Sequence, residues 1–125
     1  MAVLVYTRSF RQQAPATSAQ TIVIAKAEPD TLLRIERVVA ADDTTNITDI
    51  GLQLVQGDKV DLIGRVTVSG IGDLAMFDDL VIRLTEGMAL QLRYTGVVSE
   101  DILRAVVFGL QFTGEDVSGV LASGR

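Results

Sequence analysis

Residues 87–96, GMALQLRYTG, contain the pattern that decides the fold class. Apolar side chains at positions 88, 90, 92 and 94 alternate with mostly polar ones, and a glycine stands at each end. A period of two is typical of a β-strand with one buried face, and glycines commonly occupy the turns that flank a strand. The stretch therefore predicts a sheet with one face against a core.

Similar patterns recur along most of the chain. Further strands are predicted in residues 21–27, 31–40, 50–55, 59–69, 80–85 and 102–113. The β-branched residues Val, Ile and Thr number 36 of 125 and favour strands over helices. About seven short strands at regular spacing, without a convincing helix, indicate an all-β fold. We predict an antiparallel β-sandwich of jelly-roll type with an N-terminal extended arm.

The 125 residues and 13.4 kDa of the chain suit one domain. We predict an N-terminal arm and linker in residues 1–19, the β-sandwich in residues 20–113 and a C-terminal tail in residues 114–125. Residues 73–79 (DLAMFDD) are expected to form either a single helical turn or an irregular crossover.

The apolar faces of the predicted strands define a predicted core. It comprises Ile22, Ile24, Leu33, Ile35, Leu52, Leu54, Leu62, Val66, Val68, Ile82, Leu84, Leu90, Leu92, Tyr94, Val106, Phe108, Leu110 and Phe112. In the last strand, the face that carries the large side chains Phe108, Leu110 and Phe112 is expected to point into the core.

The composition excludes many kinds of chemistry. The chain has no cysteine and no histidine. Disulfides, thiol nucleophiles, imidazole bases and the commonest metal ligands are therefore absent. No stretch approaches the roughly 20 apolar residues of a membrane helix. We expect a protein that is not an enzyme, with no cofactor, no resident metal and no membrane partner.

The acidic motifs are weak candidates for a site. Residues 42–49 carry Asp42, Asp43 and Asp49 in a predicted loop, but they lack the glycine and the glutamate of an EF-hand, so a solvated loop is favoured over calcium binding. Asp58, Asp61 and Glu86 lie in predicted hairpins and are the candidates for an acid–base pair. Residues 70–73 (GIGD) lack the lysine of a phosphate loop and are interpreted as a turn.

Charge is unevenly distributed along the chain, which has a net charge of −5. Residues 1–27 contain three basic and no acidic residues, whereas residues 28–125 contain 8 basic and 16 acidic ones. Three positive charges beside an acidic body argue against nucleic acid as a partner. The opposite charges of arm and body would instead guide docking between subunits.

The arm is the candidate contact with another subunit. Its candidate residues are Val3, Val5, Tyr6, Arg8, Phe10 and Arg11. Two explanations remain open for the apolar residues among them: they form the first strand of the chain's own sandwich, or they pair with a neighbouring subunit by strand addition.

Residues 80–113 (LVIRLTEGMALQLRYTGVVSEDILRAVVFGLQFT) resemble small β-sandwich or jelly-roll virion proteins of tailed bacteriophages, of the capsid decoration (cement) or head-fibre and spike types. The likeness lies in a glycine-led strand that ends in an aromatic-Thr-Gly turn at residues 94–96, then a short acidic loop and a final apolar strand. Family members often carry tryptophan at the position of Tyr94.

The resemblance implies a structural role on the surface of a capsid and no catalytic residues. The expected partners are other copies of the chain, with a trimer favoured, and the major capsid protein or another virion protein. Made in the host cytoplasm, the chain would then reside on the virion. Alternative roles are a tail or neck component and a carbohydrate-binding module. An Asp/Glu-based hydrolase ranks below both of these.

Overall fold

The computed structural model describes residues 2–43, 48–68, 73–78 and 81–113. These residues form nine β-strands and no helix. In chain order the strands are β1 (Ala2–Gln13), β2 (Gln20–Lys26), β3 (Thr31–Asp42), β4 (Thr48–Gln56), β5 (Lys59–Val68), β6 (Ala75–Phe77), β7 (Ile82–Leu84), β8 (Met88–Thr95) and β9 (Ile102–Thr113). The all-β prediction is confirmed.

Two antiparallel sheets pack against each other. The first has the order β1-β9-β3-β6, with β7 also paired to β3, and the second has the order β2-β8-β4-β5. Because β6 and β7 pair with different parts of β3, they share one strand position. The result is eight strand positions in two four-position sheets, in which β1 to β4 alternate between the sheets. This is the strand order of a jelly roll, as the sequence predicts.

Most of the predicted core is buried between the sheets. Ile22, Ile24, Leu33, Ile35, Leu52, Val68, Leu84, Leu90, Leu92 and Tyr94 are all buried in one cluster. Leu54, Val66 and Ile82 are half-buried and pack against it. Residues 88–95 alternate as predicted, because polar side chains occupy the opposite face of that strand.

The prediction of which side of β9 points into the core is wrong. Leu103, Ala105 and Val107 are buried in the core, whereas Phe108 is 40% exposed on the opposite side of the strand. Val106, Leu110 and Phe112, also predicted as core, share the face of Phe108 and are only half-buried. Both faces of this strand are apolar, so alternation alone could not distinguish them. The smaller side chains point inward.

Leu62 is also misplaced by the sequence prediction. Its side chain is 58% exposed. The register between β4 and β5 shifts between Leu52 and Gln53, so that Leu52 pairs with Gly64 and Gln53 pairs with Leu62. A β-bulge adds one residue to a strand and reverses the facing of everything beyond it. The alternation predicted for residues 59–69 therefore breaks at this point.

The N-terminal residues belong to the sandwich itself, as one of its strands. Predicted as part of an arm, Ala2–Gln13 forms the edge strand of the first sheet and pairs with β9, which is the first of the two explanations that the sequence left open. The predicted linker is tied down beyond it, because the Ala14 amide donates to the Asp101 carbonyl at 2.7 Å and the Glu100 amide donates to the Ala14 carbonyl at 2.8 Å. Predicted as a helical turn or crossover, the segment around Ala75–Phe77 is a short strand.

Candidate assembly surface

The six residues predicted to contact a partner all lie on β1. They are Val3, Val5, Tyr6, Arg8, Phe10 and Arg11. β1 pairs with β9 without a register shift, from Ala2 opposite Thr113 to Gln13 opposite Ile102. On the other side of β1, no strand among the described residues pairs with it. A long, regular edge strand leaves backbone N–H and C=O groups open to pairing with another chain.

The six residues serve two different purposes in this fold. Tyr6 is buried in the chain's own core, and Phe10 packs against that core. The Arg8 guanidinium lies over the Tyr6 ring at 5.4 Å from its centroid, within the range of a cation–π contact. Val3 is exposed, and Val5 is 80% exposed. The structure therefore gives Tyr6 and Phe10 an internal role and leaves the two valines available.

The exposed valines belong to a larger surface on the outer side of the first sheet, which we call the outer apolar face. It comprises Val3, Val5, Val39, Met76, Val106, Phe108, Leu110 and Phe112. Residues directly opposite each other in an antiparallel pair lie on the same side of the sheet. Val3 opposes Phe112 and Val5 opposes Leu110 across β1 and β9. The apolar side chains therefore continue across neighbouring strands.

Four arginines lie on the same side of the sheet. They are Arg11, Arg34, Arg37 and Arg104. Glu36 pairs with Arg34 at 3.2 Å, and Asp43 pairs with Arg104. The other two arginines have no ion pair within the described part of the chain. A shallow cavity of about 350 Å³ beside Phe108 is lined by Glu36, Arg37 and Asp78. The charged residues around the outer apolar face are thus of both signs, with arginines in the majority.

The outer side of the second sheet differs in character. Gln53, Gln91, Arg65, Arg93 and Thr95 lie there, and the Gln91 amide donates to the Gln53 side-chain oxygen at 2.7 Å. Exposed apolar side chains stand among these polar groups, namely Val23, Val60 and Leu62. The two outer sides therefore differ in degree, because apolar side chains predominate on the first sheet and are mixed with polar and charged ones on the second.

The carboxylates considered for catalysis are placed separately from this surface. Asp58 and Asp61 are exposed on the β4–β5 hairpin, where Asp61 pairs with Lys59 at 3.8 Å, and Glu86 is exposed in the β7–β8 turn. Among the described residues, no group of three or more Asp or Glu side chains could hold a metal ion. Within the same ranges, no helix has the length and apolar character needed to cross a membrane.

The loop considered for calcium is described only at its ends. Residues 44–47 lie outside the described residues, as do residues 70–72 of the GIGD turn and the predicted tail 114–125. Asp42 is buried at the end of β3, and Asp43 pairs with Arg104. Asp49 pairs with Arg65 at 3.5 Å on β4 and β5. The carboxylates at the two ends of the loop thus engage arginines of different sheets.

Comparison with solved structures gives matches of different strength. A protein of Bacillus endospore appendages, described as a novel family of disulfide-linked pili, matches with a TM-score of 0.57 at 13% identity, over 90% of this chain and 89% of the other. This similarity concerns the fold. A pentameric capsid protein from metagenomic phage sequences matches with a TM-score of 0.42 at 20% identity, over 90% and 64%. The capsid of cyanophage Pam1 matches with a TM-score of 0.43 at 16% identity, over 86% and 84%. No protein-family model and no curated protein matches the sequence.

Proposed function

We propose that this chain is a non-enzymatic structural protein of a phage virion, a decoration (cement) protein that binds the assembled head and stabilises it. The observation that carries the assembly role is the outer apolar face, which adjoins the edge of β1 that no other described strand covers. The assignment to phage rests on the resemblance of residues 80–113 to virion proteins. A tail or neck position is the alternative within the same class.

Exposure of the outer apolar face to water is energetically unfavourable. Val5 is 80% exposed and Val3 50% exposed, and they adjoin the half-buried Leu110 and Phe112. Contiguous apolar patches rimmed by polar groups mark interaction sites in soluble proteins. Burial of apolar surface contributes about 25 cal/mol per Å², so covering these side chains favours association.

Backbone pairing at the edge of β1 would fix the orientation of the two associating subunits. Its regular pairing with β9 uses one row of backbone groups along Ala2–Gln13, and within the described ranges no strand pairs with the opposite row. A strand from a second copy that pairs there would extend the first sheet. We propose a homo-oligomer formed in this way, with a trimer favoured, in which Val3 and Val5 are covered and Arg11 faces acidic groups of the neighbour. Arg8 lies on the other side of β1, over the Tyr6 ring, and would contact the neighbour only along the strand edge.

The stabilising mechanism is mass action. A subunit that binds the assembled shell and not its separate components shifts the equilibrium towards the shell. This role needs apolar faces, open edges and a stable sandwich, and it needs no nucleophile or metal. Arg11 and Arg37, which lie beside the outer apolar face and have no ion pair in the described part of the chain, favour an acidic partner surface, and the affinity should fall as salt is added.

Light scattering on the purified full-length chain tests the self-association. We expect a mass near three times the chain mass of 13.4 kDa. Val5→Lys places a charge on the outer apolar face and should give monomers. Val23→Lys is the matched control, because Val23 is 51% exposed on β2 in the second sheet, and it should keep the wild-type mass. A monomeric wild type, or a Val5→Lys protein that remains assembled, would contradict the proposed contact.

Binding to heads tests the virion role separately. Wild-type chain added to phage heads that lack it should co-sediment with them and raise the temperature at which they disassemble. Val5→Lys should do neither, and Val23→Lys should do both. Heads that gain no thermal stability from bound chain would exclude a cement function.

A further inference from the structure

A notch lies on the outer side of the second sheet, away from the outer apolar face. Gly51 on β4 pairs with Arg93 of β8 on one side and with Arg65 of β5 on the other. The two arginines therefore lie in one row across the sheet, and the residue between them, a glycine, has no side chain. The row is open to solvent, because both arginine side chains are exposed.

Mostly polar residues, together with the exposed Leu62, complete the notch above and below this row. The shallow cavity at this place has a volume of about 180 Å³. Its lining residues are Asp49, Gly51, Gln53, Leu62, Arg65, Arg93 and Thr95. The Gln53 side-chain oxygen accepts a hydrogen bond of 2.7 Å from Gln91, which fixes the orientation of that amide at the rim.

Asp49 organises one of the two arginines. Its Oδ1 atom lies 3.5 Å from Nε of Arg65 and accepts a hydrogen bond of 3.3 Å from the Thr67 hydroxyl. Arg93 has no ion pair among the residues that the structure describes. Two arginines and one aspartate give the notch a net positive charge within a chain of net charge −5. The site thus attracts one negative charge.

The polar groups of the notch are complementary to those of an acidic sugar. Guanidinium groups present paired N–H donors that match a carboxylate. Asp49 can accept hydrogen bonds from sugar hydroxyls, and Thr95 and Gln53 can donate to them. We propose that the notch binds a hexuronic acid, with its carboxylate at Arg93 and its hydroxyls towards Asp49. The proposal is independent of the assembly role, since it uses the other sheet.

Gly51 is the residue that keeps the notch open. A Cβ atom at this position would lie 3.2 Å from Cδ1 of Leu62, at the flexible end of an exposed side chain. Gly51→Ala is therefore expected to fold, while its methyl group fills the floor between the arginines. This variant changes the volume of the notch without changing its charge.

Titration of the full chain with glucuronate, followed by amide chemical shifts in NMR, tests the proposal. We expect shifts at residues 49–53, 65 and 91–95, with millimolar affinity because the notch is shallow. Glucose, which lacks the carboxylate, and acetate, which lacks the hydroxyls, should each bind about tenfold more weakly, as expected for the loss of charge-assisted or several neutral hydrogen bonds.

Variants separate this site from unspecific attraction. Arg93→Gln and Gly51→Ala should each weaken glucuronate binding by about tenfold or more. Arg37→Gln, which removes an exposed arginine of the first sheet, should leave the affinity unchanged. Equal binding of glucuronate and glucose, equal binding of glucuronate and acetate, shifts that spread over other arginines, or an unaffected Arg93→Gln protein would each overturn the proposal.

Discussion

The Tyr94 hydroxyl donates a hydrogen bond of 2.7 Å to the backbone carbonyl oxygen of Arg104. Tyr94 belongs to β8 in the second sheet and Arg104 to β9 in the first, so this bond joins the two sheets directly. The tyrosine is fully buried, with 0% of its surface exposed. A polar group inside an apolar core must be paired, and here the pairing links the layers of the sandwich.

Tyr94→Phe should destabilise the fold by about 1–3 kcal/mol, because it leaves the carbonyl of Arg104 without this donor in a buried setting. Urea unfolding measures the change. Tyr6→Phe is the matched control, since it removes the hydroxyl of the chain's other tyrosine, and it should change stability by less than about 0.5 kcal/mol. Equal losses in the two variants would show that the inter-sheet bond contributes nothing.

Stability should fall at alkaline pH through the same residue. Burial raises the pKa of the Tyr94 phenol above its usual range, the Asp42 carboxylate adds to the rise, and Arg104 opposes it. Above pH of about 10 the unfolded chain releases this proton while the folded chain retains it, so the free energy of unfolding falls by up to about 1.4 kcal/mol per pH unit. Below that pH the contribution is fully present.

The comparison of wild type with Tyr94→Phe isolates this effect, because the remaining titrating groups are common to both. Urea unfolding at a series of pH values from neutral to alkaline should show a steeper loss of stability for wild type. Parallel pH profiles for the two proteins would exclude Tyr94 as the source of the alkaline loss.

Gly109→Ala should be severely destabilising. A Cβ atom at this position would overlap the carbonyl oxygen of Arg34 and crowd the Cα atom of Ile35. The contact lies where β3 shifts register against β9 between Ile35 and Arg37, so the obstruction is backbone and cannot rotate away. We expect a loss of about 3 kcal/mol or more in the free energy of unfolding, as is usual for steric conflict in a core.

Gly64→Ala is the comparison for that prediction. Its added Cβ would meet the Phe77 ring at 3.3 Å, and a side chain can adjust where a backbone carbonyl cannot. The loss measured by urea unfolding should therefore be smaller than for Gly109→Ala. The reverse order would show that the close approach of β3 and β9 at Gly109 relaxes readily.

The fold class followed from alternation wherever one face of a strand is polar. Residues 88–95 are the clear case, since Gln91 and Arg93 oppose three buried apolar side chains and only one facing is favourable. The same argument could not succeed for β9, where both faces are apolar. There the facing depends on what each neighbouring strand presents, and Gly109 must face the close backbone of Arg34.

The candidate sites were predictable to different degrees. The six proposed contact residues form an apolar and basic segment that the sequence shows directly, but the division between buried Tyr6 and exposed Val5 required the register of β1 on β9. The notch could not be found from sequence, because Gly51, Arg65 and Arg93 are far apart in the chain. Only the pairing of β4 with both neighbours brings them into one row.

The facing of β9 can be tested with two alanine substitutions on the same strand. Leu103 is 0% exposed in the core, so Leu103→Ala should cost about 2–5 kcal/mol of unfolding free energy. Phe108 is 40% exposed on the outer apolar face, so Phe108→Ala should cost about 1 kcal/mol in the monomer despite removing a larger side chain. Urea unfolding in the Val5→Lys background measures both without a contribution from assembly. A larger loss for Phe108→Ala than for Leu103→Ala would place the aromatic face inside and remove the outer apolar face as a candidate contact.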